Sequence, residues 1–343
     1  MGNLFLRTAI LPVLFFPAFC APSLAAECAA PRLENSVPLE PLGDQGLTAV
    51  PITLDGVERK FLFDTGSVAN FISSRVVEEM RLPQLPTRPL LDLRGNLSGS
   101  AVRVKDVTFG AFEGSYGIFQ VATDLPFDGI LSTRRNARDN LNLANDDLDI
   151  DFGAMKLNFF STDHCDGGGV ADWPRQAFAV VPVTQVQGHI ELPVTLDGHP
   201  LRAAIDTGAI WTVINLTRAR DKLNFSPDMP PPAGAPKNDP ATQTYFRKYS
   251  ALSFEGVTIA NPLIIVRPVR FGGKDDPTIL ASRAQHASDF ANRLAPDIIV
   301  GMEILRHLHI YYAVKEEKLY ITPATSASAL KDDTPPSSDQ VPP

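Results

Sequence analysis

Two aspartates occupy the same short motif, one in each half of the chain. Asp64 lies in residues 61–67 (FLFDTGS) and Asp206 in residues 203–209 (AAIDTGA). In both motifs an apolar run ends in Asp, and the Thr-Gly pair that follows favours a turn. Two carboxyl groups about 3 Å apart cannot both ionise, so they share one proton. One can then take a proton from water while the other polarises a carbonyl, so the motifs predict a general acid–base pair.

The two motifs belong to an internal duplication. Residues 50–56 (VPITLDG) match residues 192–198 (LPVTLDG), and this match has the same gap-free separation as the aspartates, 142 positions (206 − 64). Such a repeat indicates two equivalent structural units. A carboxyl pair on a two-fold axis is most simply built from two equivalent loops, which explains the duplication.

Either aspartate alone would be assigned to a structural turn, where Asp is common. The pair occurs in a gap-free repeat, each member after a predicted buried strand, and this favours the chemical assignment. The six histidines show no metal-ligand spacing, and the sequence has no Gly-x-Ser-x-Gly, His-Glu-x-x-His or phosphate-loop motif. The predicted chemistry therefore requires neither a metal ion nor a cofactor.

Short strands and turns must position these motifs. An Asp-Gly turn at residues 55–56 separates two predicted strands, and the second of these delivers Asp64 at its end. Pro83 stops a short predicted helix. Residues 93–100 form a polar hairpin that either overhangs a site or is a plain surface hairpin. The predicted strands, helix and hairpins in chain order cover residues 48–54, 57–63, 71–73, 74–80, 148–159 and 310–321.

These motifs resemble those of pepsin-type aspartic proteases, and the lobes are similar in pattern to bacterial retropepsin-like domains. The apolar-apolar-Asp-Thr-Gly-Ser/Ala signature occurs twice. Residues 127–131 (FDGIL) resemble the apolar pair beneath the first catalytic loop, and residues 299–305 (IVGMEIL) resemble the matching motif and helix of the second lobe. Residues 311–314 (YYAV) resemble the strand after that helix. The resemblance implies an all-β, bilobal pepsin-like fold with an active-site cleft between two homologous lobes.

The resemblance also implies an endopeptidase, a hydrolase that cleaves protein or peptide substrates with a water molecule activated by Asp64 and Asp206. Two threonines would lock the loops by hydrogen bonds across the axis, and two glycines would let backbone amides approach the carboxylates. The Ser67 hydroxyl would hydrogen-bond the outer oxygen of Asp64. The supporting residues that the family pattern assigns are Thr65, Gly66, Ser67, Thr207, Gly208 and Ala209.

Several positions depart from the pepsin pattern. Ser132 stands where pepsins have Gly after the apolar pair, and we expect modest strain there. Ala209 lacks a hydroxyl beside Asp206, so the pKa values of the pair and the working pH should lie above those of pepsin. The candidate flap of the first half has no Tyr, and Tyr245 in the second half is either a flap residue or an ordinary strand residue. These departures leave an alternative, a catalytically silent relative that binds peptides or proteins in the interlobe cleft.

The composition limits the partners. The net charge is −8, and there is no stripe rich in Lys and Arg, which argues against binding to nucleic acid or to anionic membrane surfaces. Because both motifs lie in one chain, no second copy is needed to complete the pair. We therefore expect a monomer.

The first 26 residues resemble a secretory signal. Arg7 is their single charge, residues 8–19 are mostly apolar, and residues 23–25 (SLA) offer a small-x-small cleavage site. The apolar run is short for a membrane span, so a membrane anchor is the less favoured alternative. We expect an exported protein, periplasmic or secreted.

Cleavage would leave two cysteines, Cys28 and Cys165. In an oxidising compartment they either pair, which would pin the N-terminus near the junction of the two halves, or remain unpaired thiols. The tail is poor in apolar residues and is predicted to be disordered. The predicted parts of the chain are a signal peptide (1–26), an N-terminal protease lobe (27–172), a C-terminal protease lobe (173–323) and the tail (324–343).

Overall fold

The computed structural model describes residues 29–67, 69–91, 97–123, 125–133, 145–173, 178–186, 189–268 and 295–324. Within these ranges strands predominate and helices are short, so the all-β class predicted from the sequence is confirmed. The predicted signal peptide, the predicted tail beyond Ala324 and residues 93–96 of the predicted polar hairpin lie outside the described residues. No helix in the described ranges is long and apolar enough to cross a membrane.

The described strands form three sheets. In chain order they are β1 (Leu33–Pro38), β2 (Glu40–Leu42), β3 (Leu47–Leu54), β4 (Val57–Asp64), β5 (Phe71–Ser73), β6 (Gln84–Leu91), β7 (Leu97–Phe109), β8 (Phe112–Ala122), β9 (Gly129–Ser132), β10 (Asp147–Asp151), β11 (Lys156–Phe160), β12 (Ala179–Pro182), β13 (Thr184–Val186), β14 (His189–Leu196), β15 (His199–Ile205), β16 (Val213–Asn215), β17 (Tyr245–Lys248), β18 (Ala251–Phe254), β19 (Val257–Ala260), β20 (Leu263–Arg267), β21 (Ile298–Val300), β22 (Leu308–Ala313) and β23 (Lys318–Pro323). The α-helices among the described residues are α1 (Ser74–Glu79), α2 (Leu216–Leu223) and α3 (Met302–Leu305).

Eight of these strands form the sheet that carries Asp64, in the order β2-β3-β4-β9-β5-β8-β7-β6. A further pairing of β3 with β7 curves this sheet toward a barrel. Asp55 and Gly56 join β3 to β4 and have positive φ angles (49° and 79°), as the tightest hairpin turns require. This turn fixes the register, and the last four residues of β4, which end with Asp64, are buried.

A nine-stranded sheet in the second half repeats this plan. Its order is β17-β20-β16-β21-β15-β14-β18-β19, with β13 paired to β14. The turn between β14 and β15 has Asp197 and Gly198 with φ angles of 48° and 81°. In each sheet the strand that leads to a motif aspartate runs parallel to a later strand, β4 beside β9 and β15 beside β21. The duplicated sequence therefore forms duplicated local structure.

The two sheets exchange large and small residues at equivalent positions. In the first sheet Gly129 lies opposite Phe61, and a Cβ atom at Gly129 would collide with the Phe61 ring. In the second sheet the equivalent pair is Ile298 opposite Ala203. The large side chain thus stands on a different strand in each half, and both cores remain filled.

A six-stranded sheet joins the two halves, because it contains strands from both. Its order is β1-β11-β10-β22-β23-β12, and β10 of the first half pairs with β22 of the second. Asp147 in β10 is buried and accepts hydrogen bonds from the Tyr311 hydroxyl and the Val314 N–H, both at 2.9 Å. One cluster of buried apolar side chains includes residues of all three sheets. The halves therefore share a core, which fixes the position of one motif relative to the other.

Asp128 and Asp297 occupy equivalent positions directly before β9 and β21. Asp128 accepts hydrogen bonds from a backbone N–H of β4 (3.1 Å) and from Arg75 of α1 (2.5 Å). Asp297 accepts hydrogen bonds from a backbone N–H of β15 (2.9 Å) and from Lys222 of α2 (2.7 Å). Each aspartate thus fastens a short helix to the strand that leads to a motif aspartate.

Replacing Asp297 by Ala should destabilise the protein more than replacing Asp128 by Ala. Asp297 is 2% exposed and also holds Arg218 at 3.1 Å, whereas the Asp128 side chain is 19% exposed. Removing the buried Asp297 carboxylate leaves more hydrogen-bond donors and cations without a partner than removing the Asp128 carboxylate does. We therefore expect losses in the free energy of unfolding of about 3 kcal/mol for Asp297→Ala and about 1 kcal/mol for Asp128→Ala. Urea denaturation measures both, and equal losses would contradict this ranking.

Candidate active site

Asp64 and Asp206 meet where the two equivalent sheets face each other. Asp64 lies opposite Ser132 in the pairing of β4 with β9, and the Asp206 N–H donates to the Val300 carbonyl of β21 at 3.0 Å. The two carboxyl groups are hydrogen-bonded to each other. Asp64 is buried, whereas Asp206 keeps a partly exposed edge. We refer to these two residues as the dyad.

Gly66 and Gly208 allow the close approach of the two loops. Each donates its backbone N–H to the aspartate of its own loop, at 2.8 Å from Gly66 to Asp64 and 2.9 Å from Gly208 to Asp206. A Cβ atom on either glycine would collide with the carboxyl group of the opposite loop. The Ala209 N–H adds a further bond to Asp206 at 3.1 Å. Any side chain at the two glycine positions would therefore separate the carboxyl groups.

Thr65 and Thr207 cross-link the two loops. The N–H of Thr65 donates to the Thr207 hydroxyl at 3.0 Å, and the N–H of Thr207 donates to the Thr65 hydroxyl at 3.1 Å. Each hydroxyl in turn donates to a carbonyl of the opposite half, Thr65 to Ile205 (3.0 Å) and Thr207 to Phe63 (2.7 Å). Both threonines are buried, so four hydrogen bonds shielded from water hold the loops together.

The Ser67 hydroxyl differs from the expectation. It donates to the Ala69 carbonyl at 2.8 Å, and because a hydroxyl has one hydrogen, it does not donate to Asp64. The Ser67 backbone N–H bonds the Asp64 carboxyl instead. The predicted neighbour of Asp64 is therefore in place, but its main chain makes the contact.

Ser132 ties down the first loop. Its hydroxyl donates to the Ser67 carbonyl at 2.6 Å, and its N–H donates to Asn70 at 2.9 Å. In the second half the equivalent Gly301 donates its N–H to the Thr212 hydroxyl at 3.1 Å. The hydroxyl group that departs from the pepsin pattern thus has a buried partner beside the dyad.

Burial raises the pKa of both dyad carboxyls. The pKa of Asp64 is raised by lost hydration and further by the charge of Asp206. Lost hydration also raises the pKa of Asp206, but the hydrogen bond from Asp64 and the amides of Gly208 and Ala209 oppose that rise. Burial therefore disfavours full ionisation of the pair, and the two carboxyls share a proton and titrate as one unit.

His189 makes the two sides of the dyad chemically different. Continuing the antiparallel register of β14 with β15 places His189 across from Asp206. The same continuation of β3 with β4 places Leu47 across from Asp64. His189 is buried, and although burial dominates the pKa of Asp206, the charge of His189 lowers it.

The structure brings all of the predicted site residues of the two motifs to one place. Tyr245 is a buried strand residue of β17 whose ring lies 5.4 Å from that of Phe225. Cys165 is disulfide-bonded, and Cys28 lies outside the described residues. The residues at the dyad are Asp64, Thr65, Gly66, Ser67, Asp206, Thr207, Gly208 and Ala209.

Sequence reasoning missed four residues beside the dyad: Asn70, Thr212, His189 and Glu303. The 142-residue offset relates Asn70 to Thr212, so the duplication held a signal for two equivalent polar supports. Glu303 lies within the motif at residues 299–305, but the sequence did not mark its role or that of His189, since both roles depend on register and burial. Within the described residues, no group of three or more His, Cys, Asp or Glu side chains could hold a metal ion.

Comparison with known proteins agrees with this geometry. Residues 50–133, which include Asp64, match the family model described as aspartyl protease. The structure is similar to that of an aspartic proteinase from Irpex lacteus, with a TM-score of 0.50 and 13% identity over 87% of this chain and 99% of that one. It is also similar to conglutin gamma, a basic 7S globulin from lupine seeds, with a TM-score of 0.47 and 12% identity over 85% of this chain and 95% of that one. The comparison with curated proteins gave no match.

At 13% identity, the likeness to the Irpex lacteus proteinase shows the fold and nothing more. The family match adds the sequence around the first motif. Together they confirm the predicted resemblance to pepsin-type and retropepsin-like aspartic proteases, and with it the pepsin-like fold class.

Replacing Thr207 by Val should strongly destabilise the protein. Valine has nearly the same shape but leaves the buried Phe63 carbonyl and Thr65 N–H without partners, and we expect a loss of about 2–4 kcal/mol in the free energy of unfolding. Thr207→Ser is the matched control, because it keeps the hydroxyl and should cost no more than about 1 kcal/mol. Guanidinium denaturation of the two variants measures the contrast, and similar losses would mean that packing rather than the crossed bonds holds the loops.

Replacing His189 by Gln should move the acidic limb of the pH–rate profile to higher pH. The protonated imidazole favours the ionised form of Asp206, so its removal raises the pKa of the pair, by about one pH unit or less. The measurement is kcat/KM against pH for a peptide substrate. His199→Gln, an exposed histidine at the far end of the same hairpin, is the control and should leave the limb unmoved.

Proposed function

We propose that this protein is an exported aspartic endopeptidase that hydrolyses peptide bonds with a water molecule activated by Asp64 and Asp206. The observation that carries the proposal is a hydrogen-bonded pair of carboxyl groups at the ends of two equivalent strands. The family match around the first motif supports protease activity in general.

In the proposed mechanism one carboxyl is the base and the other is the acid. Asp206, which keeps a partly exposed edge, takes the ionised role and accepts a proton from the bound water as that water attacks the peptide carbonyl. Asp64, which is buried, takes the protonated role, donates a hydrogen bond toward the carbonyl oxygen and stabilises the charge that develops there. The backbone amides of Gly66 and Gly208 hold each carboxyl in orientation. No covalent intermediate is formed.

Two further features support the wider proposal. A disulfide at Cys165 fits an oxidising compartment, as export would provide. Both members of the dyad belong to one chain, so a monomer carries the complete site. Because Ala209 offers no hydroxyl to the ionised form of Asp206, we propose a working range less acidic than that of pepsin.

Asp64→Asn and Asp206→Asn should each abolish cleavage of an unstructured protein such as denatured casein. Each change removes either the proton acceptor or the proton donor, so we expect a loss of at least about a hundredfold in kcat/KM. The assay covers pH 3 to 7, with and without a statine-type transition-state analogue. Asp221→Asn, on the exposed face of α2, is the matched control and should retain full activity.

The outcomes separate the two candidate functions. Cleavage that both dyad variants lose and that the analogue blocks would establish the dyad. Cleavage that survives either substitution would overturn the assignment of these residues. A folded protein that binds peptides at micromolar concentration but cleaves nothing at any pH would be the catalytically silent alternative.

A further inference from the structure

Glu303 is a carboxyl group in contact with the second dyad loop, residues 206–212. It is the second residue of α3, and its Oε1 accepts the Thr212 N–H at 2.6 Å. Its Oε2 is buried and has no hydrogen-bond partner among the described residues. One oxygen of this side chain is thus committed to the loop, and the other is withdrawn from water without a partner.

The loop depends on α3 for its support. The Met302 N–H donates to the Ala209 carbonyl at 2.8 Å, and the Glu303 N–H donates to the Ile210 carbonyl at 3.0 Å. Thr212, at the end of the loop, is fully buried and receives the Gly301 N–H on its hydroxyl. A Cβ atom at Gly301 would collide with the Trp211 backbone, so helix and loop are in direct contact. The Glu303 side chain is the one titratable member of this set of contacts.

Charge on Glu303 is disfavoured by this packing. An ionised carboxylate needs donors on both oxygens, and here the donors come from Thr212 and the nearby backbone, while Oε2 has no hydrogen-bond partner among the described residues. Burial therefore raises the pKa of Glu303 to about 7, against the lowering effects of the Thr212 contact and of Arg306. Besides Arg306, the titratable groups that the chain places near it are His307, one helical turn further on, and Asp206, at the start of the loop that it contacts.

We propose that Glu303 is a positioning residue for the dyad: its protonated carboxyl holds the loop 206–212 against α3, and loss of that proton loosens the loop and sets the alkaline limit of proteolysis. The alkaline limit rests on the proposed function, whereas the loosening of the loop does not. The physical step is hydration. A charged Oε2 must gain water, and water reaches it only if the helix and the loop separate.

The sign of the stability effect follows from linkage. The folded protein holds the Glu303 proton more tightly than the unfolded chain does, so this group's contribution to stability is present below the carboxyl's ordinary pKa. It is lost as the pH rises toward and through about 7. The dyad contributes in the same direction, so a comparison between variants is needed to isolate Glu303.

Glu303→Gln tests the proposal, because the amide keeps an oxygen for the Thr212 N–H and cannot ionise. We expect unchanged kcat/KM at acid pH and an alkaline limb shifted upward by about one pH unit or more. The thermal denaturation midpoint of the variant should fall less than that of the wild type between pH 5 and pH 8. Glu78→Gln, an exposed residue of α1, is the matched control and should behave as the wild type.

Glu303→Leu separates positioning from mere packing. It leaves the Thr212 N–H without a partner, so we expect kcat to fall about tenfold at every pH. Leucine cannot ionise, so the alkaline limb should lie where it does in Glu303→Gln and not where it does in the wild type. Hydrogen–deuterium exchange of peptides that cover residues 206–212 gives a readout independent of activity. In the wild type, exchange in this segment should increase above pH 7 beyond the intrinsic rate, and in Glu303→Gln it should not.

The proposal is overturned if Glu303→Gln keeps both the alkaline limb and the pH-dependent exchange of the wild type. A protein that cleaves nothing would overturn the proposed function but would leave the exchange and denaturation measurements to decide the role of Glu303. If both dyad variants lose cleavage but hydrogen–deuterium exchange of residues 206–212 in the wild type does not depend on pH beyond the intrinsic rate, the proposed function stands. The proposed role of Glu303 is then wrong.

Discussion

Two carboxyl groups that share a proton must be held together against repulsion and against the loss of their hydration. Left to itself, a chain would separate them and let both ionise in water. Here the opposing force is the set of four crossed hydrogen bonds made by Thr65 and Thr207, which are buried and reach from each loop to the strand of the other half. The two glycines add the necessary space, since no other residue would let the loops approach so closely. The surrounding sheets serve to keep this contact in register.

Three sheets meet that requirement in different ways. The two equivalent sheets end their parallel pairs, β4 with β9 and β15 with β21, at the dyad, so each aspartate projects from a rigid strand end. The six-stranded sheet then fixes one half against the other, because β10 and β22 pair directly. A shift of one residue in that pairing would turn the buried side chains to the opposite face, and the shared core resists it. Backbone pairing far from the carboxyls therefore positions the two halves, and the crossed hydrogen bonds hold the loops together at the dyad.

Much of this arrangement could be predicted from the sequence, because the signals for these elements lie close together along the chain. The predicted strands at 48–54 and 57–63 match β3 and β4 to within one residue, because apolar patterning and the Asp-Gly turn are local signals. The short helix and the hairpins at 148–159 and 310–321 were found for the same reason. The strands β1 and β12 were not predicted, since they exist only through partners far along the chain, β11 and β23.

The site residues likewise include some that the sequence predicted and some whose contacts it did not. The motif residues were predicted because the duplication displays them twice, but the hydroxyl contact of Ser67 was assigned wrongly. Its choice between Asp64 and the Ala69 carbonyl depends on loop geometry that residue types do not encode. The roles of His189 and Glu303 depend on strand register and on burial, which appear only when the sheets are assembled.

Assembly also shows why a symmetric backbone yields an asymmetric pair. On the side of Asp64, Leu47 packs with Leu62, Phe71 and Ile130 in an apolar cluster, a surrounding that disfavours charge. On the side of Asp206 the equivalent of Leu47 is His189, and the buried Glu191 of the same strand is paired with Arg202 at 3.1 Å. The duplicated strands place two identical groups in equivalent positions, and the divergence of their neighbours then gives the two groups different surroundings.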